Sequence, residues 1–377
     1  MDATPPKPKS EIHVIRKRDL RDPSYRPAWE DPEKIATFTA EKRLAILSNP
    51  LSRSDDDPVQ IVGTVDGRAA GRMDLFAGEV STGGQAVPVL WTSLLHVPVE
   101  HRSSLLGVLL ILKMQALCPT VAACAVSQQA LPVYEKLKWI DFRMPRYVLM
   151  RRSRAVVERY VGRGPIGMAA RVVADAALLG WRGMLRLRTA IRTRGLRVEH
   201  AERAPAELDA AIATSAGAAQ PVTITRSADW INWLLTSAIG SFPRDRQGLF
   251  LVRDRAGALV GYFLLKAHVY PTATHRNFKN LFLGSLKDWQ SFRPSALSFH
   301  DIVRLAVREL GRWNVDAVEV CVTDPADGHR LRRFGFLPAG DLHLLYRAAP
   351  KSPLADPALA GQAKWNIRPA DGDNFFG

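Results

Sequence analysis

Residues 97–110 read Val97-Pro98-Val99-Glu100-His101-Arg102-Ser103-Ser104-Leu105-Leu106-Gly107-Val108-Leu109-Leu110. An apolar run ending at Val97 reads as a strand, and the segment from about Ser103 reads as the start of a helix. A helix that begins there leaves its first backbone N–H groups without intrahelical partners. Those donors and the positive end of the helix dipole suit a diphosphate. Arg102 adds a charge-assisted contact, and Gly107 lets an anion approach the backbone. The candidate anion-binding residues are therefore Val97, Arg102, Ser103, Ser104, Leu105, Leu106, Gly107 and Val108. Possible proton acceptors lie close in sequence: His96 ranks first, ahead of Glu79, Glu100 and Asp74. Strand alternation decides whether His96 faces the anion site or turns away.

The elements that must position these residues follow from hydrophobic period. Residues 59–65 and 68–77 read as strands joined by a tight Asp66-Gly67 turn. Further strands are expected at 87–97, 121–126 and 146–151, with helices at 103–116 and 129–137. The same order recurs later in the chain. Strands are expected at 249–253, 259–266, 280–286, 317–322 and 342–346, and helices at 298–310 and 328–334. Gly71 and Gly261 correspond at an offset of 190, and Cys124 with Cys321 and Lys138 with Gly335 at 197. A duplicated domain explains the shared offset, which is too long for a solenoid repeat. Cys124 and Cys321 fall inside apolar strands and read as core residues rather than nucleophiles.

The first copy resembles the GNAT-fold N-acyltransferases. Arg102 and Gly107 fall in register with that family's Arg/Gln-x-x-Gly-x-Gly/Ala pyrophosphate loop, with Leu105 in place of the first glycine. Ser127-Gln128-Gln129-Ala130-Leu131-Pro132-Val133-Tyr134-Glu135-Lys136-Leu137-Lys138-Trp139 resembles the family's Asn-x-x-Ala-x-x-x-Tyr-Glu-Lys-x-Gly-Phe segment. Ser127 replaces Asn, and Lys138-Trp139 replaces Gly-Phe. The resemblance implies a mixed α/β fold in two tandem copies. It also implies acetyl-CoA as co-substrate, transfer of the acetyl group to an amine, and no metal. It makes Tyr134 the acid that protonates the departing thiolate and adds Ser127 to the cofactor contacts; His96 is the proposed base. In the second copy Leu331 stands where Tyr134 stands in the first, and no comparable loop precedes residues 298–310, so that copy is expected to be degenerate. The acceptor would be a small-molecule or sugar amine. The competing reading is a catalytically degenerate scaffold or sensor.

Net charge is +15, and residues 151–200 hold twelve arginines against three acidic residues. Within them Ala169, Val173, Ala176, Gly180, Met184, Leu187 and Ile191 recur at helical spacing, with Arg171, Arg182 and Arg186 opposite. Pro165 can start that helix and Gly195 stop it. Three uses fit: packing of the apolar row on a neighbouring domain, lying on an anionic membrane surface, or holding a nucleic acid or other polyanion.

The expected organisation is a disordered tail (1–11), a GNAT-like domain (12–150), an Arg-rich helical linker (151–218), a degenerate GNAT-like domain (219–348) and a C-terminal tail (349–377). Within that tail, 350–362 read as a flexible linker and the aromatic-bearing end as a segment that docks in a groove. A length of 377 residues, 47% hydrophobic and 24% charged, excludes a disordered or collagen-like chain. Three cysteines without metal-ligand spacing exclude a disulfide scaffold and give no zinc motif. With no secretory signal and no membrane span, the expected location is cytoplasmic, with peripheral membrane contact open.

Overall fold

A computed structural model describes residues 9–371 apart from 32, 37, 103, 216–221, 238–243 and 271–279. Ser103, and the Phe375 and Phe376 anchors expected in the tail, lie outside the described residues. In chain order the first half forms β1 (Ser10–Arg16), α1 (Lys17–Arg21), α2 (Ala40–Leu47), β2 (Pro58–Val65), β3 (Arg68–Thr82), β4 (Gln85–His96), α3 (Leu106–Leu117), β5 (Thr120–Cys124), α4 (Leu131–Lys136) and β6 (Ile140–Met150). There follow α5 (Arg154–Tyr160), α6 (Pro165–Arg192), β7 (Arg197–Ala201), α7 (Glu207–Ser215), β8 (Val222–Ile224) and α8 (Ala228–Ser237). The second half adds β9 (Arg246–Arg253), β10 (Leu259–Tyr270), β11 (Leu281–Ser291), α9 (Phe299–Arg312), β12 (Ala317–Cys321), α10 (Pro325–Arg333), β13 (Leu337–Ala348) and the short β14 (Trp365–Asn366). Asp66 and Gly67 take φ of 50° and 79°, the positive pair that a two-residue hairpin requires.

All these strands join one mixed sheet. Its main path runs β1-β2-β3-β4-β5-β13-β6-β12-β11-β10-β9-β7, with β8 on β3 and β14 on β8. The centre departs from what two self-contained copies would give: the halves exchange their last strands. Cys124 of β5 faces Leu344 of β13, and Ala317 of β12 faces Met150 of β6. Each half therefore completes the other's sheet, and the hydrogen-bond ladder runs unbroken between them. The expected linker is also partly sheet, because β7 pairs with β9 from Arg197 to Ala201.

The long helix α6 starts at Pro165 and ends at Arg192, ahead of Gly195 at φ 98°. Its packing decides against the first of the three uses expected for the row through Ala169, Val173, Ala176, Gly180, Leu187 and Ile191, burial on a neighbouring domain. Those residues are exposed, and Met184 is half-buried. The helix packs instead through Leu178, Trp181, Leu185 and Thr189, a parallel row at the same spacing. That row carries the bulk: Leu185 and Trp181 join the core around α9, and Trp181 lies over Gly335, where a Cβ would come within 2.7 Å of its ring.

The tail is a second correction. Residues expected as a flexible linker form short 3₁₀ turns against the first half. Leu354 is 1% exposed, and the Ser352 and Thr120 hydroxyls lie 2.8 Å apart. Beyond them Trp365 packs on Phe142 and Tyr346, and Asp371 enters a buried ionic cluster. There Arg226 Nε donates to Asp288 Oδ1 at 3.0 Å and its Nη2 to Asp371 Oδ1 at 2.9 Å. The Tyr262 hydroxyl donates to Asp288 at 2.6 Å.

Burial alone would favour loss of the Arg226 proton, but the two carboxylates override it and hold the guanidinium firmly charged. Asp371 moves the opposite way from an ordinary ion-pair partner. Burial, and the Asp288 charge sharing the same guanidinium, push it up from 3.8 to about 6. The folded chain then holds a proton there that the unfolded chain has released. The resulting stability is full below about pH 4 and is lost as pH rises through about 6. Compared with Asp371→Asn, the parent protein should lose stability between those limits and show a flat difference above them. Urea midpoints of both proteins at several pH values read this directly, and a pH-independent difference would contradict it.

Candidate functional site

The sheet opens beside the expected site. Parallel β4 and β5 pair through Leu90, Trp91 and Thr92. Then β4 runs on to His96, whereas β5 stops at Cys124. On its other edge β4 carries a bulge: Asp74 faces Leu94 and Leu75 faces Thr92, leaving Ser93 unmatched. Such a bulge bends the strand and re-aims its backbone groups. The parting strands leave a cleft of about 170 Å³, lined among others by Leu94, Leu95, Ala123, Ser127 and Tyr134.

The exchanged strand β13 lies beside the end of β5 but outside the lining of the cleft. The Ala125 N–H donates to the His343 carbonyl at 3.0 Å, with Ala125 at φ 57°. The His343 ring is held 3.0 Å from the Asp141 carboxylate. This oriented imidazole at the end of β5 escaped the sequence reading, because its neighbours come from the other half of the chain.

Helix α3 begins at Leu106 with Leu105 at its N-cap and no capping side chain; its first turn carries no acidic residue. The Ser104 hydroxyl accepts from the Leu106 N–H at 3.3 Å, and among the described residues no side chain covers the Gly107 and Val108 amides in this way. A Cβ on Gly107 would meet nothing closer than Val97 Cγ2 at 3.8 Å, so the backbone there is open. Leu106 is buried in a seat made by glycines: a Cβ on Gly63 or Gly71 would come within 2.4 or 3.1 Å of its side chain. Leu105 has φ −75° and is 72% exposed, so this turn does not need the glycine it lacks. Arg102 is exposed; its Nε donates to the Val97 carbonyl at 3.1 Å and so braces the strand-to-helix turn.

The structure therefore brings Ser127 and Tyr134 to the cleft, and Val97, Arg102, Ser104, Gly107 and Val108 to the helix start. Tyr134 is 2% exposed and meets Trp139 edge to face at 4.8 Å. Lys138 takes φ 61° where the family pattern has glycine, and Gly335 takes φ 97° at the matching place in the second half.

The proton-acceptor candidates scatter. His96 is exposed on β4 and is not among the residues lining the cleft, and Glu100 is exposed on the turn. Asp74 is fully buried, bonded by Gln60 at 2.7 Å and by Lys42. Glu79 pairs with Arg53 and accepts from Thr225 at 3.0 Å, beside a separate cavity of about 720 Å³ against the second half. Among the described residues no group of His, Cys, Asp or Glu is arranged to hold a metal, and no helix is long and apolar enough to cross a membrane.

Solved structures share this architecture. The N-myristoyltransferase of Saccharomyces cerevisiae, solved with bound myristoyl-CoA, superposes with a TM-score of 0.54 at 14% identity, over 90% of this chain and 79% of that one. An Enterococcus faecalis protein described as a probable N-acyltransferase superposes at 0.50 and 10% identity, over 91% of this chain and 73% of the other. A tandem GNAT protein from the clavulanic acid biosynthesis pathway aligns with 91% of this chain and the whole of its own length, at 0.46 and 12% identity. No protein-family model and no curated protein matches the sequence. The mixed α/β fold is the one shared by the N-myristoyltransferase and the probable N-acyltransferase, carried here on one continuous sheet.

Proposed function

We propose that the chain is an acyl-CoA-dependent N-acyltransferase whose first half binds the donor and whose transferred group is acetyl. One contrast carries this reading. The start of α3 is uncapped and has a glycine-open backbone, whereas the matching start of α9 is closed by a capping box. There Ser298 Oγ accepts from the Asp301 N–H at 3.3 Å, and Asp301 Oδ2 accepts from the Ser298 N–H at 3.2 Å. A diphosphate is welcome at the first and repelled by a carboxylate at the second.

In this reading the diphosphate rests on the Gly107 and Val108 amides with Arg102 at its edge, and the pantetheine arm runs between β4 and β5 toward Tyr134. The acceptor amine, on a small molecule or sugar, attacks the thioester carbonyl. The carbon–nitrogen bond forms, the carbon–sulfur bond breaks, and Tyr134 gives its proton to the departing thiolate. The amine's surplus proton leaves through water toward the strand end bearing His96. Backbone donors freed at the Ser93 bulge suit the carbonyl oxygen as charge develops on it.

Acetyl-CoA supplied with a panel of small amines and amino sugars should release free thiol in step with acylated amine. Donor that binds but is never consumed, whatever the acceptor, would point instead to a degenerate ligand sensor.

A further inference from the structure

The groove between α6 and α9 is a cavity of about 280 Å³ lined by Arg151, Arg182, Arg186, Arg304, Arg308 and Arg312. Its floor is apolar, with Trp181, Leu185 and Val307 among the residues that form it. Three of the arginines are paired within α9: Arg304 with Asp301 at 2.9 Å, and Arg308 and Arg312 with the one carboxylate of Glu309 at 2.9 and 2.7 Å. The other three are not. Among the described residues Arg151, Arg182 and Arg186 have no carboxylate partner; Arg182 Nε bonds only the Leu178 carbonyl, at 3.2 Å.

Arg151 is the unusual one. It is 8% exposed, and its guanidinium rests against Gly311, where a Cβ would come within 2.6 Å of Nη2. Its Nη1 donates to the Val307 carbonyl at 3.3 Å. A buried cation without a counter-charge is costly. Burial, then the Arg182 and Arg186 charges, lower its pKa to about 10. A bound anion would relieve all three groups.

The exposed side of the same helix suggests where that anion comes from. Val172, Val173, Leu179, Leu187 and Ile191 are between 61% and 70% exposed, interleaved with Ala169, Ala176, Gly180 and Gly183. At 28 residues α6 is about 42 Å long. It thus presents a continuous apolar strip to the outside, with Arg186 and the arginine groove along its border. An apolar face bordered by arginines fits the headgroup boundary of an anionic bilayer, which takes up both at once. Nothing in the strip offers stacking or base-edge contacts, so nucleic acid is the poorer match. Arg171, grouped with these residues by sequence, pairs with Asp175 at 3.5 Å and is not part of the groove.

We propose that α6 docks on an anionic membrane surface and that Arg151, Arg182 and Arg186 hold the phosphate of a phospholipid in the α6–α9 groove. The proposal does not depend on the acyltransferase reading.

Flotation of the full chain with vesicles of phosphatidylcholine, with and without one-third phosphatidylglycerol, tests it. The chain should float with the anionic vesicles, stay behind with the neutral ones, and detach as salt rises. Arg182→Ala with Arg186→Ala should weaken association by roughly 30-fold, as expected for two arginine contacts near a charged surface. Leu179→Asp with Leu187→Asp should abolish it. Both pairs lie at the surface or groove edge, and an unchanged circular dichroism spectrum and melting temperature would show that the fold is kept. Equal flotation with neutral vesicles, or no loss in either double variant, would overturn the proposal. Thermal stabilisation by inorganic phosphate without flotation would overturn the membrane source and leave a soluble phosphate ligand. Tighter binding to duplex DNA than to anionic vesicles at the same salt, lost in the arginine variant, would overturn it in favour of a nucleic acid.

Discussion

Tyr134→Phe should lower the rate of acyl transfer by about 10²–10⁴-fold, the range for losing a positioned general acid, while donor affinity stays nearly unchanged. The split follows from where the side chain sits. Tyr134 lines the β4–β5 cleft, whereas the proposed diphosphate contacts lie on α3. Phenylalanine keeps the buried ring and its edge-to-face contact with Trp139, so the fold should hold. A thiol-release assay with saturating acetyl-CoA gives kcat, and donor titration gives affinity. Unchanged kcat would remove Tyr134 as the acid. Equal loss of affinity and rate would make it a packing residue.

Arg226→Met should destabilise the protein by about 3–5 kcal/mol, the usual loss when one partner of a buried ion pair is removed. Its guanidinium is the shared counter-charge for Asp288 and Asp371, both wholly or almost wholly buried. Methionine fills much of the space but leaves two carboxylates facing each other. Arg226→Lys should recover only part of the loss, because an ammonium cannot match a planar fork that reaches both acids. Chemical denaturation of the three proteins measures this. A loss below about 1 kcal/mol for the methionine variant would mean that Arg368, close by in the same cluster, takes over the neutralisation.

Local chemistry was legible in the sequence wherever neighbours along the chain decide structure. Asp66-Gly67 needed two positive φ angles, and few other pairs supply them. The alternation in residues 68–77 and the helical period of 298–310 each had one compatible geometry. The loop around Arg102 and Gly107 announced a helix start that an anion can approach.

What stayed hidden depends on partners distant in sequence. β6 and β13 carry similar patterns, and a strand's pattern states which face is buried, not which strand lies beside it; their exchange was therefore invisible. Helix α6 has two apolar rows, and only the shape of α9 and the space over Gly335 select the one containing Trp181. The bulge at Ser93 uses an ordinary residue. Arg226 and Asp371 are typical surface types, yet they are buried because each finds the other across 145 positions.

In the proposed enzyme the start of α3, without a side-chain cap from Leu105, holds the diphosphate of an acyl-CoA. Thermal melting with increasing acetyl-CoA, compared between the parent chain and Gly107→Asp, tests it most directly. The new side chain has room at that position, and an acidic residue in a first helical turn favours the helix. The parent chain should show a saturable rise in melting temperature, as expected when a ligand binds only the folded state, and the variant little or none. No shift in the parent at millimolar acetyl-CoA, or an equal shift in both, would contradict it.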